Sequence, residues 1–512
     1  MSLNPRARRF TILTAAVALG LTGGLTQPVQ AAEPSSYIAN DTVWRTVDGQ
    51  EILAQGGNVF KHQGVYYWVG SELTSGQPKA INLYSSTDLE NWQFRKAIVK
   101  QSGTDGPLSA DPADNIWLGR PQLNYNPATN NFVLNFEVND TSDKRNQLMF
   151  ATSSTVDGTY TLTSQTPINV NNNTMGDHSV FVEGNDAYLV YVGDHVDASG
   201  KKSINRTVTV RKLNEAWTGV APGAPLFDQW DSGKEAPGLV KANGKYYLFA
   251  SEKRWWDATA THYRVSDTLA GLASSAPWAK VTHRPTRGGS DDSFGTQFAQ
   301  IIPVVSTDGG TTSYLFNGDR YSQFFKGDTN NAPGGVGRNA WYKLTFEGTA
   351  PVVHGWTGVD VNAAAGTITG NRVANGRFDQ EAAGVGVPLW DLSGAQGAAS
   401  TQNTTGDGRR QLLVNDDVAF TSWVDQEVVL PNGRYELSFD YRSSATMNDL
   451  FFEVKGHGGQ ATKLPLNKNQ NAWATKKYTF DVTSGKANIG LWADGQANAW
   501  TNLDNVAIWP AG

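Results

Sequence analysis

Between residues 63 and 320 the chain repeats one phrase five times, a small or polar turn followed by a run of aromatic and β-branched residues. The copies are anchored on Tyr67, Phe132, Tyr188, Tyr247 and Tyr314, with successive spacings of 65, 56, 59 and 67 residues. Periodicity on this scale means one supersecondary unit used repeatedly. About sixty residues of strand and turn suit a four-stranded sheet, and five such sheets in a ring predict a β-propeller, which leaves only short edges. After Val373-Ala374-Asn375-Gly376-Arg377-Phe378 the pattern changes. Trp423 to Leu430, Gly433 to Tyr441, Leu450 to Val454, Trp473 to Val482 and Ala487 to Trp492 alternate apolar and polar positions, which predicts antiparallel strands of a jelly-roll β-sandwich. The first and last of its strands, near Phe378 and Val506, are expected side by side. The fold class is all-β: a five-bladed β-propeller over 38–358 followed by a β-sandwich over 371–512.

Composition narrows the function classes. There is no Cys against 17 Trp and 17 Tyr, and a net charge of −6 without a basic stripe gives no footprint for nucleic acid. Arg6, Arg8 and Arg9, the apolar run from Thr11 to Leu25 and the small-residue pattern at Val29-Gln30-Ala31 predict a secretion signal over 1–31 and an extracellular product. No other stretch offers the ~20 apolar residues of a membrane span. A monomer without cofactor is expected. His178, His195 and His262 lack metal-ligand spacing, so no metal site is expected either.

In a propeller the innermost strand precedes each anchor, so residues about a dozen positions earlier should face the axis. Counting back gives Gln55, Arg120, Asp177, Glu235 and, through a longer hairpin, Gln297. Two carboxylates, an arginine and two amides on one axis suit glycoside hydrolysis, in which a carboxylic acid protonates the leaving oxygen. Glu235, flanked by Ala236 and Pro237, is the candidate acid, because lost solvation favours its protonated form; a charge on Asp177 would raise its pKa further. Polar residues at such positions also line solvated channels, so a non-catalytic glycan-binding ring stays open at this point. Trp255-Trp256 reads either as a sugar-stacking platform or as packing.

The phrases, taken in order, resemble glycoside hydrolase family 43, and most its exo-β-1,3-galactanase branch. The resemblance is carried by Trp44 to Gly49, Ala54-Gln55-Gly56-Gly57, Leu83 to Trp92, Arg120-Pro121, Glu235-Ala236-Pro237-Gly238, Ser293 to Phe298 and Asn317-Gly318-Asp319-Arg320-Tyr321, over about residues 42–347. It implies inversion of configuration, with Glu235 as acid, Asp177 orienting it and tuning its pKa, and Gln297 positioning the attacking water. It also implies Gln55, Glu72, Arg120, Asp319 and Arg320 as sugar ligands. Two departures touch the terminal sugar: Gly119 stands where the branch has glutamate, and Gln55 where it usually has histidine. Arabinofuranosidase, galactofuranosidase and xylosidase activities therefore stay open beside galactanase. The C-terminal segment resembles carbohydrate-binding modules, with Trp423, Trp473, Trp492 and Trp500 as candidate stacking residues.

Overall fold

The structure, a computed structural model, describes residues 37–511 except 75–76, 78, 101–116, 140–146, 167–174, 197–198, 231–232, 275–276, 286–291, 322–335, 381–385 and 404–408. The expected export signal over 1–31 lies outside the described residues, as does the side chain of His195. The named elements of the described residues are strands and two short 3-10 turns of helix. None of their helices is long and apolar enough to cross a membrane.

Five antiparallel sheets follow one another, each with its strands in sequence order. Their first strands are Val59–His62, Trp117–Asn126, Met175–Glu183, Lys234–Ala242 and Gln297–Val305. Every anchor lies in the second strand of its sheet. The fifth sheet gains an outer strand, Thr282–Pro285, which pairs in parallel with Ala350–Gly355. Local alternation could not announce that strand, because its partner lies far along the chain.

Each neighbouring pair of sheets encloses its own apolar core. Leu83, Leu123 and Phe136 meet between the first and second, and Phe150, Leu189 and Trp217 between the second and third. Val208, Phe227 and Leu248 fill the next gap, then Phe249, Phe298 and Phe316. Trp68, Trp92, Ile302, Leu315 and Trp341 join the fifth sheet to the first. Fully buried side chains of this size contribute about 1.5–3 kcal/mol each, which makes these cores the main source of cohesion.

A circuit of hydrogen bonds runs inside the cores. Asn58 exchanges bonds with the backbone of Leu123 (Nδ2 to O 3.1 Å, N to Oδ1 2.8 Å), and Val180 N donates to Gln122 Oε1 at 3.4 Å. Ser179 Oγ donates to Pro237 O at 2.8 Å, and Phe298 N donates to Ser251 Oγ at 2.9 Å. Gln300 completes the circuit: Val59 N donates to its Oε1 at 2.7 Å and its Nε2 donates to Val59 O at 3.0 Å. The bonds of Asn58, Ser179 and Ser251 are buried and the others partly so; leaving a buried partner unsatisfied would cost about 1–3 kcal/mol.

Beyond the fifth sheet, Gly358–Asn362 and Thr367–Asn371 form a small sheet with Ile38–Ala39 from the start of the described chain. The remaining residues build two five-stranded antiparallel sheets around one core that includes Phe378, Trp390, Phe439, Phe452 and Ile489. The strand expected near Phe378 is instead a turn, because Asn375 and Phe378 adopt positive φ. It still meets the last strand, where Val506 N donates to Gly376 O at 2.9 Å.

Candidate active site

Four of the five first strands carry a register irregularity near their beginning, between Gly119 and Gln122, Met175 and His178, Glu235 and Gly238, and Phe298 and Gln300. A bulge leaves an extra residue unpaired and turns its side chain off the strand's regular faces. Pro121 and Pro237 sit inside two of them, where the missing N–H costs no ladder bond. Arg120 (φ 40°) and Ala236 (φ 53°) take left-handed backbone. The bulges are how this sequence brings Arg120, Asp177 and Glu235 to a common point.

Glu235 Oε1 accepts a hydrogen bond from Arg254 N at 2.9 Å, and Gln297 Nε2 lies 3.4 Å from the same oxygen. Asp177 Oδ2 accepts from Ala236 N at 2.9 Å, which puts its carboxylate beside the residue that follows Glu235. Burial, then the negative charge of Asp177, push the Glu235 carboxyl up to about 8, against the opposing pull of the Arg254 N–H, Lys253 and Arg120. The group therefore holds its proton at neutral pH. Gln297 Nε2 also donates to Trp255 O at 2.6 Å and Asp257 O at 2.8 Å. Those bonds fix the amide with its Oε1 turned away from the two carbonyls.

Arg120 is only 4% exposed and donates through Nε to His178 O at 3.3 Å, while its Nη2 has no protein partner. Burial opposes its charge, but Asp177, Tyr321, Asp319 and Glu137 outweigh that and raise its pKa. A buried cationic N–H without a partner is a ready donor for a ligand oxygen. Asp319 accepts from Gly56 N with both oxygens at 3.1 Å and from Asn339 Nδ2 at 2.7 Å. Burial lifts its carboxyl to about 6, against the pull of Arg120. Burial, then Asp319, hold the Tyr321 phenol well above its ordinary pKa, so it stays neutral and bonded to Asp319. Gly56 has φ 72°, and a Cβ there would lie 2.6 Å from the Tyr321 hydroxyl, so the floor of the site needs glycine at this position.

Gln55 and Arg320 turn out to be tied to protein. Gln55 Nε2 donates to Arg320 O at 3.1 Å, and its Oε1 accepts from Arg338 Nη1 at 3.4 Å. Arg320 spends its terminal nitrogens on the carbonyls of Gly337, Asn339 and Asn40, at 3.0, 3.2 and 2.8 Å. Glu72 is buried at the end of its strand and accepts from Thr74 N at 2.7 Å. Arg338, with no signal in the sequence, knits this rim together by donating to Glu51 and Thr74, each at 3.0 Å.

Sequence reasoning also missed the buried pair of His178 and Glu137, whose Nδ1 and Oε1 are 3.0 Å apart. Glu137 stands opposite Gly119 in the second sheet. Burial, then the Arg120 charge, hold His178 down to about 3, so a neutral ring donates to the carboxylate. The tryptophan pair divides: Trp256 packs on Tyr321 with ring centroids 5.3 Å apart, whereas Trp255 is 78% exposed. Among the described residues no group of three or more His, Cys, Asp or Glu is arranged to hold a metal ion.

The sequence profile of glycosyl hydrolases family 43 matches residues 56–327, more than half of the 512. A search of the curated proteins finds no match. Among solved structures, the chain is similar in fold to an exo-β-1,3-galactanase from Phanerochaete chrysosporium, solved with β-1,3-galactotriose. That protein is 20% identical at a TM-score of 0.54, and the match covers 93% of this chain and 100% of that one. An exo-β-1,3-galactanase from Clostridium thermocellum is 19% identical at a TM-score of 0.55, covering 92% of this chain and 100% of that one. The profile spans Gly56, Arg120, Asp177, Glu235, Gln297, Asp319 and Tyr321, and the chain belongs to glycosyl hydrolases family 43.

Proposed function

We propose that this glycoside hydrolase is an exo-acting, inverting enzyme that releases galactose from β-1,3-galactan. In this reading the five sheets are the blades of one β-propeller, with the substrate entering at the ends where the innermost strands begin. The observation that carries the reading is the Glu235 carboxyl, pushed up to about 8 beside Asp177 and the fixed amide of Gln297. Glu235 donates its proton to the glycosidic oxygen as the bond to the anomeric carbon breaks, and Asp177 keeps it protonated until then. Water adds to the opposite face of the sugar, oriented by Gln297 Oε1. An amide is a weak base, but the oxocarbenium-like transition state is already cationic. The water can therefore lose its proton late, to solvent, once its new bond has made it acidic.

Arg120 offers its partnerless N–H to a sugar hydroxyl, and Glu72 offers a carboxylate oxygen at the rim. Gln55, Asp319 and Arg320 shape the floor by holding Gly56, Arg338 and the loop backbone in place. The choice of galactose rests on the resemblance of the Asn317–Tyr321 phrase and on what the structurally similar proteins act on. Residues 1–31 direct export, the enzyme works outside the cell as a monomer, and the C-terminal pair of sheets over 371–512 is a sandwich that holds polysaccharide.

Purified protein incubated with β-1,3-galactan, arabinan, xylan and aryl glycosides tests this directly. Galactose as the single product from galactan, initially as the α-anomer, supports the reading. Release of arabinose or xylose instead moves the enzyme to another activity of the family, and release of nothing with retained glycan binding replaces catalysis by recognition.

A further inference from the structure

Trp255 is the most exposed large apolar side chain among the described residues, at 78%, and its backbone sits at φ 62°. Left-handed backbone favours glycine and asparagine and is a true outlier for a bulky residue. Exposure forfeits the burial that usually explains a tryptophan. Neither packing nor turn chemistry accounts for this residue at this position.

Its surroundings do. The Trp255 carbonyl accepts from Gln297 Nε2 at 2.6 Å, the N–H of Arg254 donates to Glu235 at 2.9 Å, and Trp256 packs on Tyr321. The backbone on both sides of Trp255 is thus anchored to the acid, the amide and the floor of the site, while the indole is left at the solvent side. On the reading that Glu235 is the acid, the glycosidic oxygen must lie at its carboxyl. The sugar being released then lies inward, towards Arg120, Asp319 and Tyr321, and the rest of the chain lies outward, on the side of the loop that carries Trp255.

We infer that Trp255 is the platform for the sugar on the leaving side of the scissile bond. Its ligand is a pyranose that lays an apolar C–H face on the indole. Because the same loop supplies hydrogen bonds to Glu235 and Gln297, stacking there also steadies the acid and the amide, so oligosaccharides are cleaved better than glycosides without a second sugar.

The test compares a disaccharide with the glycosyl fluoride of the same sugar, which has no leaving sugar and needs little acid assistance. Stacking of one ring predicts that Trp255→Ala loses about tenfold in kcat/KM on the disaccharide, with the loss on the fluoride several times smaller and Trp255→Phe recovering most of it. Trp255→Asn, which tolerates the left-handed backbone, serves if the alanine variant melts early. Equal losses on both substrates, or no loss on the disaccharide, overturn the inference. Glu235→Gln run alongside separates the two ideas: it should lose the disaccharide and keep the fluoride, and equal loss of both there overturns the acid assignment. A wild type that cleaves neither substrate sinks both.

Discussion

A carboxyl group that must give up a proton near neutral pH needs surroundings in which its charge is costly. Glu235 is partly buried, faces Asp177, and has only part of that cost offset by the Arg254 N–H, Lys253 and Arg120. Because the acid form is the active one, kcat/KM should fall as pH rises through about 8. Asp177→Asn removes the second-largest cause of the elevation, so it should move that basic limb to lower pH as well as slow the reaction. pH–rate profiles of both proteins check this, and a limb that stays where it was would assign it to another group. General acid catalysis contributes about 10²–10⁴ in rate, so Glu235→Gln should lose at least about a hundredfold on substrates with sugar leaving groups. The folded state binds this proton more tightly than the unfolded chain does, so wild-type stability falls as pH climbs from the ordinary carboxyl range through about 8. The glutamine variant should therefore melt above the wild type at pH 9 and level with it at pH 4. Glu235, Asp177, Gln297 and Arg120 were legible from the sequence because a repeat fixes where each first strand begins. Arg338 and the commitment of Arg320 to three carbonyls were not, because both depend on partners that only the assembled fold supplies.

Among the elements, the first strands do two jobs. The starts of four of them are bulged and carry the chemistry; residues in or beside them also carry the circuit from Asn58 to Gln300. Gln300→Ala leaves the N–H and carbonyl of Val59 without their partner, and should cost about 2–3 kcal/mol in denaturant unfolding. Ser251→Ala removes one acceptor and should cost roughly half of that. An equal or smaller loss at Gln300 would mean that water replaces its amide. The alternation of aromatic and polar residues made the strands visible, and Gly or Asn in the turns marked their ends. It could not reveal the parallel strand Thr282–Pro285, or the pairing of Ile38–Ala39 with Gly358–Asn362, since each joins segments with no local relation.

In the whole molecule, the C-terminal sheets are packed against the small sheet that follows the fifth and the residues beside it. Tyr37 meets Trp509 edge to face at 5.1 Å, Arg377 lies over the Tyr37 ring at 4.8 Å, and Ile508 N donates to Asn371 Oδ1 at 2.9 Å. Asp41 is buried beside these groups. Burial, against the pull of Arg377 and with help from Asp379, raises its carboxyl to about 7. The folded state again holds the proton more tightly, so this contact loses stability as pH rises from about 4 through about 7. The melting temperature should drop over that range by less in Asp41→Asn than in the wild type, which thermal scans at pH 5 and pH 8 would reveal. Removing 371–512 should lower the melting temperature and weaken action on insoluble polymer more than on short oligosaccharides; equal losses would make the second unit a brace alone. The junction that Gln300 makes with Val59 spans 241 positions, whereas the junctions between successive sheets inside the circuit span 47 to 65. A ribosome must therefore deliver more than half the polypeptide before the earliest sheet finds its last neighbour. Until then that sheet lacks the Ile302, Leu315 and Trp341 side chains that cover Trp68 and Trp92 in the finished fold.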